Sequence, residues 1–316
     1  DLRGAALQHV ELEAYTTREG DNVCGYQPRL NDAHVDRPTR TLYLFAGFRY
    51  RDDCDRPRAP IFVWSLDPAR ADPLAVIGGL VRAQLDLVGV NATRAEDIVV
   101  PAAPIVTTGE LGSVADVHAI GVATRAMDYS GSTASAVDVT VARDGKSAWA
   151  SAALSVSLLE RDTPGRAAPW RASDVLVRTP AGWRIAAMAW TEPRANAVVN
   201  RDAKAGKLTV PKLAADPGDA ALRDAFAKLT TAGVDPAAAA RADLVAFGSG
   251  PGERTVGGAA FARAWNAAWK GKVTIASSVA RLLPSATTGW VAATVELAKP
   301  GYKVPFTVFA VFDKLA

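Results

Sequence analysis

Few residues of this chain pair in a way that could carry out a reaction. The best acid–hydroxyl pair is Asp128-Tyr129. A carboxylate beside a phenol, held in apolar surroundings, can do general acid–base work: one group moves the proton while the other donates to the oxygen that gains charge. A solvated helix end is the commoner setting for such a pair. His118 shares the apolar face of a helical pattern with Val114, Val117 and Val122. Facing a cavity it would be a general base; packed in a core it would be structural, the more frequent case. Asp138 lies between Val137 and Val139 and so points away from them. Asp174 begins a strand and is expected at the surface. Glu296, between Val295 and Leu297, and Tyr302, beside Gly301, have no base at a useful spacing. His9 and His34 stand apart from all of these. No Ser-His-Asp order, phosphate-cradling glycine loop or metal-ligand cluster is readable, so neither a cofactor nor a metal is expected. Asn91-Ala92-Thr93 fits the glycosylation pattern, which chance supplies at this length.

Tryptophan points more directly to ligands. Of eight tryptophans, the candidates for a ligand surface are Trp149, Trp190, Trp265, Trp269 and Trp290. Trp265 and Trp269 are four apart and share a helix face. Core packing is one reading of this set. An aromatic-lined pocket for an apolar molecule, with few polar anchors, is the other. Cys24 and Cys54 also allow alternatives. A disulfide between them would close a loop of about 30 residues and contribute roughly 3–4 kcal/mol in the chain-entropy picture. They could instead be two free thiols. A zinc site using His34 lacks a fourth ligand. The disulfide reading implies an oxidising compartment, hence a periplasmic or secreted protein.

The elements that would position these residues occur twice. Ala95–Val100 reads like Ala242–Phe247, and Trp149–Leu154 like Trp290–Val295, at a period of roughly 140–147 residues. A period that long means two copies of one small domain. In the first copy, Leu74, Ile77, Val81, Leu85 and Val88 recur at helical spacing, and a second helix is expected from Gly112-Ser113 through Val122. Strands follow at 136–142, 149–158, 174–179 and 183–190, each alternating as half-buried antiparallel strands do. In the second copy, helices are expected around Leu222, Phe226 and Leu229 and around Phe261 to Trp269, with strands at 273–283, 289–297 and 304–314. Matching Val311–Lys314 to Leu176–Thr179 leaves no partner for Trp183–Trp190, so the second sheet is either one strand short or completed by residues outside this sequence. Residues 194–218 are rich in Asn, Asp, Lys, Gly and Pro and read as a linker. Residues 1–64 stand outside the repeat, with strands expected at 41–46 and 61–64.

Composition fits this plan. Apolar residues make up 49% and charged residues 22% of 316, enough for two buried cores. A net charge of +3, with no basic stripe, gives no footprint for nucleic acid. No apolar run is long enough to span a membrane. The first residue, Asp1, opens no signal-like stretch.

Helices followed by long antiparallel strands ending in Gly182-Trp183-Arg184-Ile185, with Met188 and Trp190 beyond, resemble the SnoaL-like branch of the nuclear-transport-factor-2-like and ketosteroid-isomerase-like superfamily. Asp174–Thr179 in the first copy, and Ala242–Gly248 with Gly257–Phe261 in the second, carry the same resemblance. It covers both copies and not residues 1–64. It implies an α+β fold of two repeated cone-shaped domains, 65–193 and 219–316, each with helices packed on a curved antiparallel sheet, behind a small N-terminal appendage. It also implies packing of the two cones through their sheets as an intramolecular pseudo-dimer, or a homo-oligomer, with Ser151, Ala153, Ser155 and Ser157 as a small-residue docking face. The superfamily includes isomerases, cyclases and dehydratases as well as proteins without catalysis. Two expectations follow. The first is a non-catalytic binding or assembly module for a small apolar molecule or another protein. The second is acid–base catalysis in one cone, using His118, Asp128 and Tyr129.

Overall fold

The computed structural model describes the backbone of strands between residues 18 and 65, then residues 73–74, 76–81, 99–100, 103–107 and 114–115, and 129–313 apart from short interruptions. The protein is α+β, built mainly of antiparallel sheets with few helices. In the N-terminal part, β1 (Arg18–Glu19) pairs with β2 (Asn22–Val23), and β3 (Gln27–Asp36), β4 (Thr41–Arg49) and β5 (Ile61–Ser65) form an antiparallel sheet. Cys24, Cys54 and His9 lie outside the described residues, as do His118 and Asp128.

The principal sheet contains β6 (Ile105–Thr107), β7 (Val114–Ala115), β8 (Tyr129–Val141), β9 (Ser147–Glu160), β10 (Thr163–Thr179) and β11 (Gly182–Thr191). Their order is β7-β6-β11-β10-β9-β8, antiparallel except where β6 runs parallel to β11. One face packs on the helical residues 76–81, burying Ile77 and Val81 against Ala148, Ala150, Ala152, Leu154, Leu176, Ile185 and Met188. This inner face is apolar because alternation puts every second residue there, and Val137, Val139 and Val141 join it from β8. β11 keeps the pattern through an irregularity at Ala186, where Val175 pairs with Ala187 but Leu176 pairs with Ile185.

The C-terminal part begins with three helices: α1 (Asn196–Lys204), α2 (Ala220–Leu229) and the short α3 (Pro236–Ala239). A hairpin of β12 (Val245–Phe247) and β13 (Arg254–Val256) leads into α4 (Gly258–Ala268). The sheet β14 (Val273–Leu282), β15 (Thr288–Lys299) and β16 (Tyr302–Asp313) completes it. Asp219 caps α2 by accepting from the Leu222 amide at 2.8 Å, and Phe226 is buried against Val291, Ala293 and Val295 on that sheet's inner face.

The two large sheets meet at their other faces. Val106, Val175, Ala187 and Ala189 from the first form one buried cluster with Val279, Leu283, Trp290 and Ala292 from the second. The meeting is self-matching at its edge. Ser147 and Thr288, 141 positions apart, occupy equivalent places before Trp149 and Trp290, and their hydroxyls are 2.8 Å apart. The turns before them are alike. The Ala142 amide donates to Ser147 O and the Gly145 amide to Ala142 O; the Leu283 amide donates to Thr288 O and the Ala286 amide to Leu283 O. Gly145 has φ 62° and Ala286 φ 57°.

Several expectations need correction. Val114–Ala115, read as the start of a helix, is a strand paired with Ile105 and Val106; valines suit either element, and sheet pairing decides. Tyr129 opens β8 opposite Leu158, and the expected helix before it lies outside the described residues. The stretch 194–218 is not only an exposed connection, since it contains α1, which buries Val199 and is tied at its start by Arg194 to Asp202, 2.7 Å apart. The match of Val311 to Leu176 is one residue out. Trp149 faces Val175 and Trp290 faces Val311, so Val311 is the counterpart of Val175. A slip of one exchanges the two faces of a strand. The docking face also differs in part: Ser151, Ala153 and Ser155 are half-buried, and the close contact falls on Ser147 at the start of β9.

Candidate functional site

Among the described residues, the inner face of the principal sheet has one carboxylate among apolar side chains. On β10, Trp170, Ala172, Asp174 and Leu176 point inward. Asp174 pairs with Ala150 on β9 and Met188 on β11, and Ala150 pairs with Val139. The row Val139, Ala150, Asp174, Met188 thus crosses the sheet with its carboxylate at the centre. Asp174 is fully buried, which corrects the expectation of a surface residue. The strand begins at Thr163, eleven positions earlier than Asp174, and the inward parity is set before Asp174 is reached. Above this row, Trp170 and Trp190 supply two indoles. Below it, Leu176 and Ile185 close the wall.

The second sheet differs at this position. Val291 pairs with Ala310, as Ala150 pairs with Asp174, so Ala310 stands where the carboxylate would be. Its inner face is otherwise aromatic and aliphatic, with Phe226, Val295, Phe306, Val308 and Phe312. Trp265 stacks on Trp269 with centroids 4.5 Å apart, between Phe261 at 5.3 Å and Phe306 at 6.4 Å. The ladder runs from α4 into that core.

The expected tryptophans therefore separate. Trp190 is on the first inner face. Trp265 and Trp269 reach the second. Trp149 and Trp290 lie on the opposite sides of their sheets: Trp290 is stacked at 5.8 Å on Phe309, and Trp149 lies under the Arg241 guanidinium at 5.0 Å. Trp170, absent from the sequence-level candidates, belongs with Trp190. Its signal was the alternation Trp170, Ala172, Asp174, Leu176. Tyr129 is on β8, away from the Asp174 row.

Polar groups cluster between the sheets. Asp144 accepts from the Lys146 amide at 2.8 Å and from the Thr287 hydroxyl at 2.7 Å. Burial raises its pKa, but the Lys146 amide, the Thr287 hydroxyl, the Ser147 amide and the Ser285 hydroxyl outweigh that and lower it to about 2. Arg241 joins Asp243 at 2.8 Å to Asp313 at 2.7 Å, and the hydrogen bonds to Asp243 hold its proton tightly. Arg171, on β10 but facing outward, is buried. It donates to the carbonyls of Gly248 and Gly250 and lies 5.0 Å over the Phe247 ring. Arg254 meets Asp138 at 2.6 Å. These groups hold the hairpin β12–β13 on the back of the first sheet and are placed for structure. Among the described residues no group of three or more His, Cys, Asp or Glu could hold a metal ion, and no helix is long and apolar enough to cross a membrane.

Residues 90–189 match the SnoaL-like domain. The SnoaL-like stretch contains the whole Asp174 row, Trp170 and most of β11. No curated protein matches the chain. Similar solved structures include a protein with a cystatin-like fold from Caulobacter vibrioides, at 19% identity over 42% of this chain and 97% of that one, TM-score 0.33. A nuclear-transport-factor-2-like protein from Prochlorococcus sp. NATL2A matches at 10% identity over 41% and 99%, TM-score 0.33. The association domain of C. elegans CaMKII matches at 11% identity over 37% and 92%, TM-score 0.32.

Proposed function

We propose that the protein is a binding module made of two SnoaL-like units, 65–193 and 219–316, packed back to back as an intramolecular pseudo-dimer. The first unit holds a small apolar molecule on its inner face. One observation carries this reading: among the described residues a single buried carboxylate, Asp174, stands in a wall that is otherwise apolar, with Ala310 at the counterpart position in the second unit. Ligand sites combine mostly apolar walls with a few fixed polar groups. Burying a carboxylate is costly, and a second copy that replaces it with alanine keeps the same wall without it. The second unit, filled by Trp269, Phe306 and Phe226, serves as the scaffold. The shared turns and the contact of Ser147 with its own counterpart Thr288 support the tandem arrangement, since a two-fold contact brings equivalent residues together.

Native mass spectrometry of protein purified from its source tests the reading. A small molecule of defined mass is retained by the unaltered protein and lost in Asp174→Ala. A protein that arrives empty, or keeps the same molecule in Asp174→Ala, rejects the site.

Acid–base catalysis on the same inner face is the second reading, and the burial of Asp174 is what favours it. Carboxylates held in apolar surroundings are the groups that acid–base catalysis on such a face would use. Turnover of a retained ligand that stops in Asp174→Asn, with binding preserved, would select this reading over simple binding.

A further inference from the structure

Trp170 carries the one indole nitrogen among the described residues that is shielded from solvent and has no hydrogen-bond partner. Its ring packs on the inner face with Leu154 and Ala172, four positions before Asp174 on the same side of β10. An indole N–H is a donor only. Buried tryptophans usually find an acceptor for it, and a buried donor left without one carries its full desolvation cost. No backbone carbonyl accepts from it.

We propose that the Trp170 Nε1–H anchors the ligand of the first unit, and that this ligand is an apolar molecule with a carbonyl, ether or hydroxyl oxygen as acceptor. The inference rests on the reading of this inner face as a ligand site and names the chemistry recognised there. The acceptor oxygen goes to Trp170. Asp174 lies about 13 Å along the strand by its rise per residue. The ligand is oriented by its acceptor oxygen, which points to the Trp170 end.

Two probes of matched shape test this with the full-length protein. 2-Acetylnaphthalene has the acceptor oxygen; 2-ethylnaphthalene does not. Calorimetric titration is expected to show the ketone binding about tenfold tighter than the hydrocarbon, the usual return on pairing a buried donor. In Trp170→Phe both probes lose contact area, and the preference of the ketone over the hydrocarbon falls to near unity. In parallel, the assigned indole proton of Trp170 in the unaltered protein moves downfield with the ketone and stays in place with the hydrocarbon, a readout that does not depend on the variant folding. Equal binding of both probes, an unmoved Trp170 proton, or a preference that survives Trp170→Phe overturns the role of Trp170 and leaves the ligand site standing. Binding of neither probe overturns both.

Discussion

Ala286 holds a left-handed backbone that its counterpart Gly145 adopts freely, with φ values of 57° and 62°. A Cβ in this region costs roughly 1–2 kcal/mol, and glycine's extra freedom in the unfolded chain returns part of that. Nothing lies within 4 Å of a Cβ built on Gly145, so the cost there is backbone alone. Gly145→Ala should therefore destabilise by about 1 kcal/mol, and Ala286→Gly should stabilise by about 0.5 kcal/mol. Denaturant midpoints with unchanged slopes would check both. Opposite signs at equivalent positions are the telling result; a loss of stability in Ala286→Gly would mean that the turn is held by contacts rather than by conformation. Asp174 shows how residue-level reading fails. Its neighbours Val175, Leu176 and Val177 look like the start of a strand, and a residue at a strand's start is normally solvated. Trp170 and Ala172, set among Arg166, Pro169 and Arg171, look like a loop. The alternation of Trp170 and Ala172 with Arg171 and Ser173 is the one trace of the strand in the sequence, and pairing with β9 shows that Asp174 lies inside it.

At the scale of elements, the long strands were legible because alternation reports a face buried on one side. β9, β11, β14 and β15 fall close to where period-two patterning puts them. α1 was not legible: Val198 and Val199 are its only large apolar residues, and its remaining sequence resembles a linker. The hairpin β12–β13 depends on a partner far away in sequence. Arg171 is buried with its guanidinium on the carbonyls of Gly248 and Gly250. Burial lowers its pKa and the nearby Glu253 carboxylate raises it. Arg171→Met keeps the length and removes the donors, leaving the Gly248 carbonyl unpaired, the Gly250 carbonyl with only the Glu253 amide, and the contact with Phe247 lost. The expected cost is about 2–3 kcal/mol, with faster amide exchange confined to residues 245–256; protection unchanged there would reject the latch. The turn at Asp144 predicts a pH effect. Its pKa is lowered from 3.8 to about 2, so its contribution is present above pH 4 and lost as the pH falls through 2. Because the turn is partly solvated, about 1 kcal/mol is a fair expectation. Urea midpoints between pH 4.5 and 2.5 should fall more in the unaltered protein than in Asp144→Asn; parallel curves would show that the carboxylate contributes nothing.

For the whole molecule, the arrangement of the two sheets sets what each unit can do alone. Val106, Val175, Ala187 and Ala189 are covered by the second sheet together with Leu213. An apolar face of this kind does not stay exposed on a soluble domain. The covering sheet presents nearly the same pattern, with Trp290 for Trp149, Val311 for Val175 and Thr288 for Ser147. A sheet whose back fits one of so similar a pattern should also fit itself. Residues 65–193 produced alone are therefore expected to form a symmetric homodimer, with Ser147 beside its own mate on the two-fold axis. Sedimentation equilibrium would give twice the monomer mass, and Ser147→Cys should crosslink under mild oxidation. A replacement that breaks the apolar back, Val175→Asp, should give monomers or insoluble chain, since a charge set against that face has no partner. A well-folded monomer with its back uncovered would mean that the two sheets meet through features peculiar to this pair, not through a shared two-fold plan, and the Ser147–Thr288 contact would then be incidental.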